Sequence, residues 1–76
     1  HYLVSGRMEV EAANEKLKLG IPEGDFETIA GFVTSELSHI PRAGERFRFG
    51  SYEFTVSRAT DRVVLEVEVR RVAQAA

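Results

Sequence analysis

Three carboxylates at alternate positions, Glu23, Asp25 and Glu27, are the first residues of this chain whose type and spacing could do chemistry. Hard divalent cations such as magnesium or calcium prefer carboxylate oxygens. The run lacks the EF-hand pattern, since no glutamate closes a loop at the required distance. Acids placed just before a helix also complement its dipole. The reading favoured is a solvated, capping connector, with Glu23, Asp25 and Glu27 as metal candidates only in second place. Histidine is the usual ligand or general base near neutral pH. His1 opens the sequence and His39 ends a helical pattern, where a cation suits the C-terminal dipole. Neither has a nucleophile or carboxylate at a spacing that makes a catalytic set, so no catalytic residue is assigned.

Arg42, Arg46, Arg48, Arg58, Arg62, Arg70 and Arg71 place most of the positive charge in the second half of the chain. Arg46 and Arg48 alternate with phenylalanines, and Glu53, Glu66 and Glu68 occupy corresponding positions of later alternating runs. Opposite charges across neighbouring strands contribute only about 0.2 to 1 kcal/mol each. A solvated mixed-charge face is the plainer reading. The functional one is a polar docking surface built from Arg46, Arg48, Glu66, Glu68 and Arg70. The net charge of −2 and the acids interspersed among the arginines argue against nucleic acid as the partner. Phe47, Phe49, Tyr52 and Phe54 sit at alternate positions and read as core, not as a base-stacking platform. Gly20, Gly24 and Gly31 are too dispersed for a phosphate cradle.

With no cysteine among 76 residues, disulfides and thiolate metal sites are excluded, which fits a reducing compartment. A chain this short buries only roughly 60% of the surface its unfolded state exposes, so its core is marginal. No run approaches the ~18 apolar residues of a membrane-spanning helix, and none has the amphipathic character of an inserting segment. The first residue is not methionine and no leader pattern follows, so residues 1–76 read as a single domain excised from a longer chain.

The periodicity predicts six elements. Leu3 to Arg7 reads as a strand ended near Gly6. Val10, Ala13, Asn14 and Leu17 form a helical stripe, with Gly20 as its stop. A second helix is predicted from Thr28 to Ser38, carrying Ile29, Phe32, Val33 and Leu37 inward; Asp25 and Thr28 are both candidate N-caps. Gly31 inside it costs about 1 kcal/mol relative to alanine, which close approach of a strand or of the first helix would explain. Pro41 ends the segment. Alternation of period two then marks strands on either side of Gly50-Ser51, a two-residue hairpin with glycine at positive φ. A last strand follows Thr60-Asp61-Arg62, with Val63, Leu65, Val67 and Val69 on one face, before an alanine-rich tail. The fold class expected is α+β: a two-layer, mostly antiparallel four-stranded sheet with two helices on one face, the first strand lying beside the last.

Several short motifs occur in a characteristic order: Tyr2-Leu3-Val4-Ser5-Gly6, Asn14-x-x-Leu17 with Leu19-Gly20-Ile21-Pro22, Thr28-Ile29-Ala30-Gly31-Phe32-Val33, Ile40-Pro41-Arg42-Ala43-Gly44-Glu45, and Phe54-x-Val56. In this order the chain resembles the CorC/HlyC domain, or transporter-associated domain; Ser5 departs from the acidic residue usual before the glycine. The resemblance implies a fold similar to a subdomain of FAD-binding proteins, placed after paired CBS domains in proteins linked to magnesium and cobalt efflux or called hemolysins. It implies a non-enzymatic regulatory or interaction domain, cytoplasmic, with the CBS pair and the membrane region of the parent, or a second copy, as partners. FAD binding follows by fold analogy only, and no cofactor is assigned. The alternative is a domain that senses a divalent metal or a nucleotide-like ligand. Gly6, Thr28, Gly31, Pro41 and Gly44 are explained as backbone geometry and capping.

Overall fold

Strand β1 (Tyr2–Ser5) leads into two helices, α1 (Val10–Leu17) and α2 (Ile29–Leu37), and then into a meander of β2 (Arg46–Phe49), β3 (Tyr52–Ala59) and β4 (Val64–Arg71). The computed structural model describes residues 2–22 and 24–72; His1, Glu23 and the tail beyond Val72 lie outside the described residues. The strands pair antiparallel in the order β1-β4-β3-β2, so the first and last strands are neighbours, as the sequence suggests.

Helix α1 buries Val10 and Ala13 and half-buries Leu17, the face its periodicity marks. It stops earlier than the glycine signal implies. Lys18 already adopts the left-handed conformation (φ 55°), and Gly20 (φ 73°) makes a second turn beyond it. The side chain of Asn14 explains the early break. Its amide donates to the Ile21 carbonyl (2.7 Å), and its carbonyl oxygen accepts from the Ile21 N–H (2.9 Å). This pairing holds the returning chain against the helix while Leu19 and Ile21 enter the core.

At the start of α2, Thr28 and not Asp25 is the cap, its hydroxyl accepting from the Gly31 N–H (3.2 Å). Ile29 N–H donates to the Met8 carbonyl (2.9 Å) and Ala30 N–H to the Gly6 carbonyl (3.0 Å). The amides that helix geometry leaves unpaired are therefore answered by protein groups. Gly31 does not admit a strand or α1. A Cβ there would stand 3.0 Å from the Cβ of Phe26, so the absent side chain lets the connector fold back over the first turn of α2. The expected explanation was right about crowding and wrong about the neighbour.

Phe32 is fully buried and meets Phe26, Phe47, Phe49 and Phe54 edge-on, with ring centroids 5.2–5.8 Å apart. Such edge-to-face contacts add to the area each ring removes from water. Around this hub lie Val4, Ile29, Val33, Val56, Val67 and Val69. The phase of β4 differs from uninterrupted alternation: Val64, not Val63 or Leu65, enters the core with Val67. Pairing is irregular between Val56↔Val67 and Ala59↔Val64, where Arg58 faces Glu66. Both strands change phase together there, which a period-two reading of one strand does not reveal.

Gly6 fits the same corner. Its N–H donates to the Leu65 carbonyl (2.9 Å). A Cβ on it would overlap the Val64 carbonyl oxygen and crowd the Ala30 Cβ at 3.2 Å. Gly50 closes the β2–β3 hairpin at φ 61°, as expected for the two-residue turn.

Candidate functional site

The helices cover one face of the sheet, and the other is lined by polar side chains in rows set by the strand register. Across one row Arg48 lies opposite Glu53 and Glu53 opposite Arg70. Arg70 Nη2 donates to Glu53 Oε1 at 2.9 Å, the glutamate side chain being 13% exposed and the arginine 48%. In the next row Arg46 pairs with Thr55, Thr55 with Glu68, and Glu68 with Leu3. Beyond it Glu66 lies opposite Ser5 and accepts from the Ser57 hydroxyl, which reaches both its carbonyl (3.1 Å) and its carboxylate (3.0 Å).

Register and alternation thus gather Arg46, Arg48, Glu66, Glu68 and Arg70 on a single surface, with Glu53 at the centre of the arginine row. Arg46 and Arg48 stand exposed on edge strand β2, and among the described residues no carboxylate lies within ion-pairing distance of either. At the opposite side of the face Leu3 is 66% exposed. The arrangement has positive charge along one edge and carboxylates with an apolar side chain towards the other. It can present a charged, patterned plane to a macromolecule.

The connector carboxylates have a different setting. Glu23 lies outside the described residues, and Asp25 and Glu27 are exposed. Glu27 borders a shallow groove of about 620 Å³ together with Glu9 and Glu11, while Phe26 and Ile21 supply apolar lining. Among the described residues no three His, Asp or Glu side chains come together in a way that could hold a metal ion.

His39 takes part in the turn that follows α2. Its Nε2 lies 2.7 Å from Glu45 Oε1, while Glu45 Oε2 accepts the Arg42 N–H at 2.5 Å. The amide of Arg42, and after it the hydrogen bond from His39, hold the Glu45 carboxyl below the usual glutamate range. Gly44 (φ 98°) donates to the Val56 carbonyl (2.7 Å), and Val56 N–H returns to the Glu45 carbonyl (2.8 Å). The Ile40–Glu45 motif is therefore a turn fastened to β3. Sequence reasoning found both Glu45 and His39 but not their contact, which depends on how the Pro41 turn doubles back.

The architecture defines a class of protein: a two-layer α+β domain with one covered and one open sheet face. It is shared with the solved structure of the associated region of a Mg²⁺ and Co²⁺ transporter (CorC) from Neisseria meningitidis, with a TM-score of 0.86, 31% identity, and coverage of 92% of this chain and 86% of that one. The sequence matches the CorC_HlyC family, the transporter associated domain, over residues 1–73, and the chain belongs to that family. Among curated relatives, the inner membrane protein YfjD of Escherichia coli K12 is 30% identical over 67 residues, covering 88% of this chain and 16% of that protein. The magnesium and cobalt efflux protein CorC of Buchnera aphidicola subsp. Acyrthosiphon pisum is 31% identical over 61 residues, covering 80% of this chain and 21% of that protein. The chain thus spans about a fifth or less of these relatives' length. No helix among the described residues is long and apolar enough to cross a membrane.

Proposed function

We propose that residues 1–76 are one domain of a longer, efflux-type protein and serve it as a non-enzymatic regulatory and docking module on the cytoplasmic side. The reading rests chiefly on the open face, where Arg46 and Arg48 stand exposed beside the Arg48–Glu53–Arg70 row and present charge that no element among the described residues covers. Charges so placed contribute little to folding, because exposed pairs are typically worth about 0.2–1 kcal/mol. They do shape recognition, since complementary charge steers encounter and fixes register. Membership of a family whose relatives include a magnesium and cobalt efflux protein supplies the context in which the docking would regulate transport.

The test is the double reversal Arg46→Glu/Arg48→Glu in the parent protein. Binding between this domain and the remainder of the parent, measured by calorimetry on separated parts, should weaken while the domain's melting curve stays in place. Unchanged binding would remove the open face from the reading. Saturable thermal stabilisation by magnesium, cobalt or FAD in the unmodified domain would instead favour a sensing role.

A further inference from the structure

We infer that edge strand β2 takes up an extended segment from the part of the longer chain outside residues 1–76, and that this segment alternates carboxylates with apolar residues. The inference rests on the docking reading and adds the mode and chemistry of the contact.

Hydrogen-bond parity decides which backbone groups of β2 are open. In an antiparallel ladder, residues bonded to the neighbouring strand alternate with residues whose N–H and C=O point away from it. Val56 N–H donates to the Glu45 carbonyl (2.8 Å), so that pair is a bonded one. Along the register from there, Phe47↔Phe54 and Phe49↔Tyr52 are bonded pairs, whereas Arg46↔Thr55 and Arg48↔Glu53 are not. The N–H and C=O of Arg46 and Arg48 therefore point out from the sheet edge. The other edge strand, β1, is different. Gly6 N–H bonds the Leu65 carbonyl (2.9 Å), which turns the groups of Leu3 and Ser5 outward, but the Ser5 carbonyl already accepts from Met8 N–H (3.0 Å). The turn after β1 thus occupies part of its edge, and β2 offers the longer open ladder.

Unpaired edges invite added strands, and proteins commonly blunt them with charge, especially lysine. The arginines of β2 do oppose pairing with β2 of a second copy, because like charges directly opposite are destabilising. Two features go beyond blunting. The guanidinium fork matches the two oxygens of a carboxylate. Phe47 and Phe49 are also only half-buried, at the rim of a core where Phe32 and Phe54 are fully enclosed. An added antiparallel strand places the residues opposite Arg46 and Arg48 on the open face and the residue between them beside Phe47. Carboxylates at the outer two positions and an apolar side chain between them satisfy both faces. In strand addition the backbone bonds supply affinity and the alternate side chains specificity.

The source of the segment follows from length. The chain spans about a fifth or less of the relatives it matches, so a parent of that length holds most of its residues outside it. A tethered segment meets the edge at high effective concentration, so a four-residue strand suffices.

The experiment is residue-resolved amide exchange in the intact parent protein, unmodified and as Arg46→Glu/Arg48→Glu. In the unmodified protein the amides of residues 46 and 48 should be protected, because a hydrogen-bonded amide exchanges only on opening. The reversal should speed both by at least about tenfold while Phe47 and Phe49, bonded to β3, stay slow and report an intact fold. Should those two lose protection, Arg46→Gln/Arg48→Gln replaces the reversal and must still free residues 46 and 48. Carbodiimide coupling of the Arg46→Lys/Arg48→Lys parent then locates the carboxylates, which should lie two positions apart in one segment outside residues 1–76. Fast exchange at Arg46 and Arg48 in the unmodified parent would overturn strand addition. So would protection indifferent to the substitutions, or lysines coupled to scattered carboxylates, to a second copy of this domain, or to none. If exchange there is fast yet the reversal still weakens binding to the rest of the parent, strand addition falls and the docking module stands.

Discussion

The two faces of this one sheet follow different rules. On the covered face Val4, Phe54, Val56, Val67 and Val69 pack against Phe32, Val33 and Ile29 with almost no solvent contact. On the open face the same strands carry Arg46, Arg48, Glu53, Glu66, Glu68 and Arg70, where Arg70 pairs with Glu53 and Ser57 donates to Glu66 in exposed or half-buried contacts. Burial of a large apolar side chain is worth about 1.5–3 kcal/mol, several times a surface ion pair. Stability is therefore concentrated on one side of the backbone. The covered face answers for the fold, and the open face is the one proposed for recognition.

The sharpest test of that division is Phe32→Ala, which removes the ring that four others meet edge-on. A loss of about 4 kcal/mol is expected. In a domain of this size that would leave a substantial unfolded fraction, visible in urea melts and amide spectra. Next comes Gly6→Ala, expected to cost about 2–3 kcal/mol because the new methyl meets the Val64 carbonyl. A wild-type melting curve for this variant would mean that the β1–α2 corner is not rigid. On the open face Glu53→Gln breaks the 2.9 Å pair with Arg70 and should cost only about 0.5 kcal/mol. A loss as large as that of Gly6→Ala would erase the distinction between the faces.

The smallest effect belongs to the Ile40–Glu45 turn and is read through pH. The folded state holds the Glu45 carboxyl below its usual range, so its ionised form favours folding. That contribution is complete above the ordinary glutamate value and disappears as pH falls through the depressed folded value. Comparing Glu45→Gln with the unmodified chain over acid pH should show a small stability difference near neutrality that closes as acid is added. A difference independent of pH would assign the effect to packing.

Much of this was legible in the residues, for reasons that separate local from distant causes. The Gly50-Ser51 hairpin, the Thr28 cap and the helical stripes depend on neighbours a few positions away, and the structure has them where periodicity places them. The charged face follows from strict alternation in β2 and in β4 beyond Val67, so Arg46, Arg48, Glu68 and Arg70 could be grouped beforehand. The phase of Val63, Val64 and Leu65 could not, because an irregularity shared with Ser57 and Arg58 sets it. Nor could the stop of α1, which depends on Asn14 gripping Ile21 seven residues away. Gly31 was misread because its close neighbour, Phe26, comes from a connector with no periodicity of its own.

The corner at Gly6 also has a consequence for how the chain is made. Gly6 is bonded to Leu65 on one side and to the first turn of α2 on the other, and β1 pairs along its length with residues 66–69. A ribosome produces the helices well before that strand. Until the last strand has emerged, β1 has no partner, and the Ala30 N–H lacks the acceptor that a paired Gly6 holds in place. Contacts closing so long a span are slow to form. In protease challenge of stalled nascent chains, α2 should gain protection only once β4 has cleared the exit tunnel. The first part of the domain to be synthesised is then among the last to settle.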